Sequence, residues 1–314
     1  MTVTQDPSAP LVVVVGATGA QGSSVIKALS ESDRPYRLRG FTRDTSKPVA
    51  KEMVAKGVEM VAIELRPEHK DHVIKAFRGA DIVFAMTVLL MQGEQLAEGK
   101  MLVDAAKVAN VKQLIWSGQE SIKERSGGKY KNAILSDEKH EITEYARASG
   151  IPIVVNVILG MFMENFKTIA APRKQADGSY AVSFASAPED VMPVIYTTRD
   201  FGLFVQKAIE VPGQRQIYAD TEALSWKEMC EQLSQVTGKN IVYIQMSKEA
   251  FVKALTDFGL PESVAVGILE VYLGGAEFPY MGKKDFESNL AGLAGKPYTF
   301  REFVEETDWS HILN

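Results

Sequence analysis

Three glycines at intervals of three, Gly16, Gly19 and Gly22 in LVVVVGATGAQG, are the residues whose spacing points most directly to chemistry. A glycine turn between a buried strand and a helix lets backbone N–H groups approach a pyrophosphate, and it lets helix and strand close together. Here an apolar run enters the turn and an amphipathic segment leaves it, so strand, loop and helix occur in the order a dinucleotide site requires. The alternative is a turn with a purely structural role. Within the loop Thr18, Ala20 and Gln21 offer contacts, Thr18 and Gln21 through their side chains.

Cofactor choice in such a site depends on the tip of the second strand, where an acid suits the NAD ribose and an arginine suits the NADP 2′-phosphate. The sequence there is GFTRDTSK, which sets Arg43 at the tip with Ser46 and Lys47 behind it. A guanidinium forks onto a phosphate dianion, so this reading favours NADP(H). Asp44 leaves NAD open, because a shift of one residue would bring an acid to the tip. Met86 and Thr87, with the loop from Val88 to Gln95, end the fourth strand, where a cofactor or plain strand-end packing would use them.

For proton chemistry, the short-chain dehydrogenases pair a tyrosine with a lysine one helical turn later, the ammonium lowering the phenol pKa. In ILSDEKHEITEYAR the lysine is Lys139, but Leu135 stands four residues before it, so the usual acid is absent. Lys139 shares a helix face with Ile142 and Ala146, which points it inward, toward a cofactor unless its stem snorkels to solvent. Ser117, at a strand end, is the weaker catalytic candidate, able to contact cofactor or polarise substrate. It lacks a Gly-x-Ser-x-Gly elbow, so hydrolase chemistry is disfavoured. His69 and His72 have no third ligand in view, and no metal site is expected. Cys230 in WKEMCEQL reads as buried helix packing.

These residues need a scaffold. The chain has 314 residues, 46% hydrophobic and 24% charged, enough for about two domains of roughly 150 residues each. Strands expected at 11–16, 36–42, 59–62, 82–86, 113–117 and 152–158 alternate with helices at 23–30, 47–56, 70–77, 94–109 and 137–149. That is the rhythm of an α/β Rossmann-type doubly wound parallel sheet. Residues 10–156 form the expected NADP(H)-binding domain. Residues 157–190 and 223–314 form a smaller mixed α/β lobe closing the cleft, with 191–222 a candidate to return to the sheet. Ser225 to Glu228 and Thr299 to Glu302 have capping-box form, and Phe251, Leu255 and Phe258 fall on one helical face.

Composition excludes several classes. A net charge of −5 disfavours direct nucleic-acid binding, and the basic cluster of Lys123, Arg125, Lys129 and Lys131 reads as a solvated loop. No stretch resembles a membrane span or signal peptide, and the first ten residues read as a loose tail. One cysteine fits a reducing compartment, cytoplasm or nucleus.

Taken together, GATGAQG, the strand-end arginine, WSGQESIK at 116–123, the lysine-bearing helix and GMFMENF at 160–166 resemble the NmrA-like family, most closely its NADP(H)-sensing redox regulators. The resemblance implies an atypical short-chain dehydrogenase fold with NADP(H) in the cleft. It implies two possible activities. One is a sensor whose association with a regulatory protein depends on the NADPH/NADP state; the other, as in related branches, is an NADPH-dependent reductase of a small apolar carbonyl, quinone or imine. It assigns Gly16, Thr18, Gly19, Gln21 and Gly22 to the phosphate loop, Arg43 to the 2′-phosphate and Lys139 to the family lysine. Phe162, with Glu164 and Asn165 in the same turn, falls near the nicotinamide. Two positions depart from the pattern: Leu135, where sensor relatives often carry histidine, and Ile158-Leu159, where an Arg-Pro or Arg-Leu is frequent.

Overall fold

A computed structural model describes residues 3–88, 94–279 and 286–314. Its strands are β1 Leu11–Val14, β2 Arg37–Thr42, β3 Glu59–Ala62, β4 Ile82–Ala85, β5 Gln113–Gly118, β6 Ile153–Leu159, β7 Met161–Phe162, β8 Arg173–Lys174, β9 Tyr180–Phe184, β10 Val191–Ile195, β11 Gln216–Ala219, β12 Glu222–Ser225 and β13 Ile241–Gln245. The α-helices are α1 Ala20–Glu31, α2 Pro48–Ala55, α3 Lys70–Phe77, α4 Glu94–Val108, α5 Ile122–Arg125, α6 Ile134–Ala148, α7 Thr197–Glu210, α8 Trp226–Thr237, α9 Lys248–Asp257, α10 Glu262–Glu277, α11 Phe286–Leu290 and α12 Phe300–Glu306.

Runs such as LVVV in β1, IVFA in β4 and QLIWSG in β5 are wholly buried and, apart from Gln113, apolar or small, as suits strands covered on both faces. They pair in a seven-stranded sheet of order β11-β6-β5-β4-β1-β2-β3, all neighbours parallel. Val25, Leu29, Phe201 and Phe204 from α1 and α7 cover one face; Phe77, Leu102 and Ile142 from α3, α4 and α6 cover the other. The strand order reverses between β1 and β4, and a ligand crevice is expected beyond their carboxyl ends. The doubly wound parallel sheet is therefore present.

The remaining elements form smaller sheets, β12-β10-β7 and β13-β9-β8. Their core centres on Trp226, whose ring stacks on Phe184 at 4.4 Å and on Tyr243 at 5.6 Å. The capping boxes form as predicted, Ser225 with Glu228 at α8 and Thr299 with Glu302 at α12. Within 191–222 the chain divides: β10 lies in a small sheet, whereas α7 covers the large sheet and β11 extends it beyond β6. The predicted face on α9 needs correction at its last member. Phe251 and Leu255 are buried, but Phe258 is the C-cap and is 78% exposed, because the helix ends before its ring can turn inward.

Candidate active site

The glycine turn is built by sterics. Gly16 has φ +66°, in the left-handed region that glycine tolerates, and its carbonyl accepts from the Gly19 N–H at 2.9 Å. A Cβ at Gly22 would collide with the Gly16 carbonyl, so only glycine lets α1 start this close to β1. Met86 covers the turn, its sulfur 3.2 Å from where a Gly16 Cβ would stand. Thr18 and Thr42 share a hydroxyl hydrogen bond at 3.1 Å, tying the loop to the end of β2. Gln21 is only 9% exposed, and its Oε1 has no hydrogen-bond partner among the described residues. A buried acceptor left unpaired at a helix N-terminus is unusual enough to require an explanation.

At the tip of β2, Arg43 is exposed. The Asp44 carboxylate turns into its own loop, accepting from the Ser46 N–H at 2.8 Å and the Ser46 hydroxyl at 2.6 Å; these bonds hold its pKa below the usual carboxylate range. Lys47 is the N-cap residue of α2. The two side chains that compete at this tip are thus separated, the cation outward and the acid engaged locally.

Lys139 points inward rather than snorkelling. Its Nζ donates to the Ser117 carbonyl at 3.0 Å and to the Thr87 hydroxyl and carbonyl at 3.3 and 3.4 Å, and lies 5.4 Å from the centre of the Trp116 ring. Burial pushes its pKa down to about 8, against the opposing pull of Glu98. Glu98 on α4 is 5% exposed and its pKa rises to about 7, driven by burial, restrained by Lys139 and augmented by Glu94. From Thr87 the network continues: its hydroxyl donates to Gln95 Oε1 at 3.3 Å, and Gln95 Nε2 donates to the Leu135 carbonyl at 3.0 Å and to Glu138 at 3.2 Å. Ser117 lends this network its carbonyl. Ser117 is 1% exposed, and its hydroxyl has no hydrogen-bond partner among the described residues.

A cavity of about 720 Å³ opens beside this network. Gln21, Met86, Thr87, Leu135 and Lys139 line one side; the smaller lobe contributes Met161, Phe162 and Asn165, with Met192 from β10 and Tyr272 from α10. Of the GMFMENF side chains, Met163 and Phe166 are instead fully buried in the lobe core. Glu164 is outside the cavity lining: its carboxylate accepts from the N–H groups of Thr197 and Thr198 at 3.2 and 2.7 Å, closing the first turn of α7. The inter-lobe turn after Ile158-Leu159 is held without an arginine. Gln119 Nε2 donates to the Leu159 carbonyl at 3.0 Å, and Gly160 fits against Asp220 and the Pro193 carbonyl, where a Cβ would collide.

In the basic cluster Lys123, Lys129 and Lys131 are exposed, as a solvated loop requires, but two of its charges are paired. Arg125 pairs with Glu120 at 2.7 Å, and Lys129 reaches Glu277 at the end of α10 at 2.5 Å, joined there by the Tyr130 hydroxyl at 2.7 Å. The Arg125 pair is local to the segment after β5, whereas Lys129 and Tyr130 tie that segment to α10. Residues 89–93 of the 88–95 loop lie outside the described residues. Among the described residues no helix is long and apolar enough to cross a membrane.

Gln95 closes the loop expected beside a cofactor, whereas Glu98 and Tyr272 belong to no motif. Glu98 and Gln95 lie on a helix whose charged and polar residues could all have faced solvent. The only available hint was that a lysine turned inward needs a partner.

Comparison with known proteins agrees with this architecture. The family model described as the NmrA-like family matches residues 8–304. The chain is 29% identical over 307 residues to an NAD(P)H azoreductase of Xenophilus azovorans, covering 94% of this chain and 97% of that protein. The solved structure of NmrA, a negative transcriptional regulator, in complex with NADP is similar with a TM-score of 0.77 at 21% identity, covering 95% of each chain. The NADPH-dependent quinone oxidoreductase of Escherichia coli complexed with NADPH gives 0.74 at 20% identity, covering 97% of this chain and 100% of that one. A family match running through both lobes, on a fold shared with these structures from end to end, places the whole chain: it belongs to the NmrA-like family.

Proposed function

We propose that this protein binds NADP(H) between its lobes and reduces a flat, largely apolar acceptor of the quinone or azo class. The observation that carries the reading is the single cavity that brings Gln21 of the glycine loop and Lys139 together with the apolar wall of Met161, Phe162 and Met192. The residues fit the cofactor. Gly16, Gly19 and Gly22 form a cradle that a Cβ at Gly22 would block, Gln21 has an unpaired buried acceptor, and the first N–H groups of α1 face the loop. Arg43 and Lys47 would hold the 2′-phosphate; Thr87 and Lys139 would hold the ribose; Phe162 and Asn165 would border the nicotinamide. When bound, the nicotinamide supplies a hydride.

The acceptor class follows from Leu135. Ketone reduction leaves a strongly basic alkoxide and calls for a matched acid, whereas quinone reduction leaves a phenolate-like oxyanion whose basicity is low enough for water or Lys139 to protonate it. An apolar wall without the tyrosine is compatible with the second chemistry and poorly suited to the first. The relatives named azoreductase and quinone oxidoreductase support the same reading.

A second reading, a sensor whose partner binding depends on the NADPH/NADP state, is favoured by the same Leu135 and by the likeness to a transcriptional regulator. It requires a surface with different affinity for a partner in the two cofactor states. The test is to titrate the purified protein with NADPH and NADP, then to follow NADPH oxidation with quinones, azo dyes, enones and imines. Steady turnover that Lys139→Ala abolishes supports the reductase. Tight NADPH binding with every acceptor left unreduced would transfer the conclusion to the sensor.

A further inference from the structure

The cavity that Lys139 lines also contains a phenol. Tyr272 comes from α10 of the smaller lobe, half-buried, and lines the cavity together with Leu135 and Lys139. Its ring is fixed by Phe184 at 5.0 Å and Trp226 at 6.2 Å. Asn165 Nδ2 donates to its hydroxyl at 3.4 Å. That bond occupies a lone pair of the oxygen and leaves the O–H proton, for which no acceptor exists among the described residues. A hydroxyl in an apolar cavity with its proton unused is a donor awaiting an acceptor. Burial pushes the phenol pKa up to about 12, so the proton stays on the oxygen throughout the working pH range.

The helix that carries it is held in place. Gly274 sits against Ile122 and the Tyr130 ring where a Cβ would collide, Glu270 accepts from the Asn132 N–H at 2.5 Å and from its side-chain amide at 2.6 Å, and Lys129 grips Glu277. Tyr272 is therefore a preorganised donor.

We infer that Tyr272, oriented by Asn165, donates a hydrogen bond to the acceptor atom of the substrate, a carbonyl oxygen or azo nitrogen, so that the smaller lobe supplies a phenol to the cavity in which Leu135 leaves α6 without one. This rests on the reductase reading. Tyr272 binds and orients the acceptor through hydrogen bonding alone, and its proton remains on its oxygen. It selects for flat aromatics that carry an acceptor over equally flat hydrocarbons.

The experiment compares wild type with Tyr272→Phe, which keeps the ring and its packing, in the presence of NADP. Binding of 1,4-naphthoquinone and of naphthalene is measured by quenching of the intrinsic fluorescence. Loss of one hydrogen bond to a ligand is expected to weaken naphthoquinone binding about 10-fold, with naphthalene binding and NADP binding unchanged. Asn165→Ala, which leaves the phenol but frees its orientation, is expected to weaken naphthoquinone binding by a smaller factor. Equal naphthoquinone affinity in wild type and Tyr272→Phe would overturn the role of Tyr272 while leaving the reductase reading intact. A wild-type protein that binds NADP but neither naphthoquinone nor an azo dye would overturn both.

Discussion

Gly202 and Ser24 touch backbone to backbone where α7 crosses α1: the Gly202 N–H donates to the Ser24 hydroxyl at 2.9 Å, and a Cβ at 202 would drive into the Ser24 carbonyl. The glycine turn begins α1 only a few residues upstream, so this crossing fixes the helix whose N-terminus faces the cleft. Gly202→Ala is expected to destabilise the protein by about 2–4 kcal/mol, at the high end for overpacking because backbone must move. Urea midpoints check this, and a midpoint within error of wild type would mean that the crossing is loose.

Arg43 is exposed at the tip of β2, while Asp44 is engaged with Ser46. Arg43→Ala is expected to weaken NADP(H) binding about 10- to 100-fold, as for loss of a charge-assisted hydrogen bond, with NAD(H) affinity changed by no more than about 3-fold. Calorimetric titration with both nucleotides decides. Equal losses would show that Arg43 acts through the loop and not through the 2′-phosphate.

The Glu98 carboxyl has its pKa raised to about 7 from an ordinary 4.5, so between those values the folded chain holds a proton that the unfolded chain has released. Stability drawn from this site is complete at lower pH and is lost as pH rises toward and through 7. Glu98→Gln removes that loss. It also removes the opposing pull on Lys139, so the folded lysine would give up its proton at still lower pH. Both effects have the same sign: relative to wild type the variant gains stability as pH rises from about 5 to 8, by on the order of 2 kcal/mol. Denaturation curves at three pH values test the slope, and parallel curves for the two proteins would contradict it.

Lys129 and Glu277 join the loop after β5 to the end of α10. Both side chains are substantially exposed, and such pairs contribute little to global stability. Lys129→Ala is expected to leave the thermal midpoint unchanged while accelerating limited proteolysis within residues 123–131 several-fold. Unchanged cleavage would show that Tyr130 and Asn132 hold the loop without it.

Leu135→Tyr would restore the phenol one helical turn before Lys139, whose Nζ already donates to the end of β5. A gain of at least about 10-fold in reduction of simple ketones is expected, in line with the usual contribution of a general acid. A variant that folds, binds NADPH and gains no ketone activity would show that Lys139 is too tightly held by Thr87 and Ser117 to lower the new phenol's pKa.

The sequence made the dinucleotide half legible because its strands are short apolar runs bounded by glycine or polar residues, and because sterics at Gly16 and Gly22 leave no substitute. Helix α3 and strand β3 lie where the pattern placed them. The smaller lobe was less legible for physical reasons. Strands β7 and β8 have two residues each, too few for alternation to register, and β9 finds its parallel partner β13 across an intervening stretch that includes α7 and α8. Helix α10, ESVAVGILEVYLGGAE, is apolar nearly all round, so its periodicity does not reveal that one side faces a cavity. The site was legible at the glycine loop and at Lys139. Glu98 and Tyr272 escaped because only tertiary packing brings the first beside that lysine and the second into its cavity.

The passage of the chain between lobes has a further consequence. It leaves the large sheet after β6, returns for α7 and β11, and leaves again for β12. A ribosome emitting this chain from its N-terminus therefore exposes one edge of β6, and the part of one sheet face that α7 covers, until residue 219 has emerged, well after the glycine loop is made. The cradle cannot complete its supporting helix crossing during that interval, so the protein should acquire nucleotide affinity late in synthesis, and chains truncated before α7 should depend on chaperones rather than fold as an independent nucleotide-binding fragment.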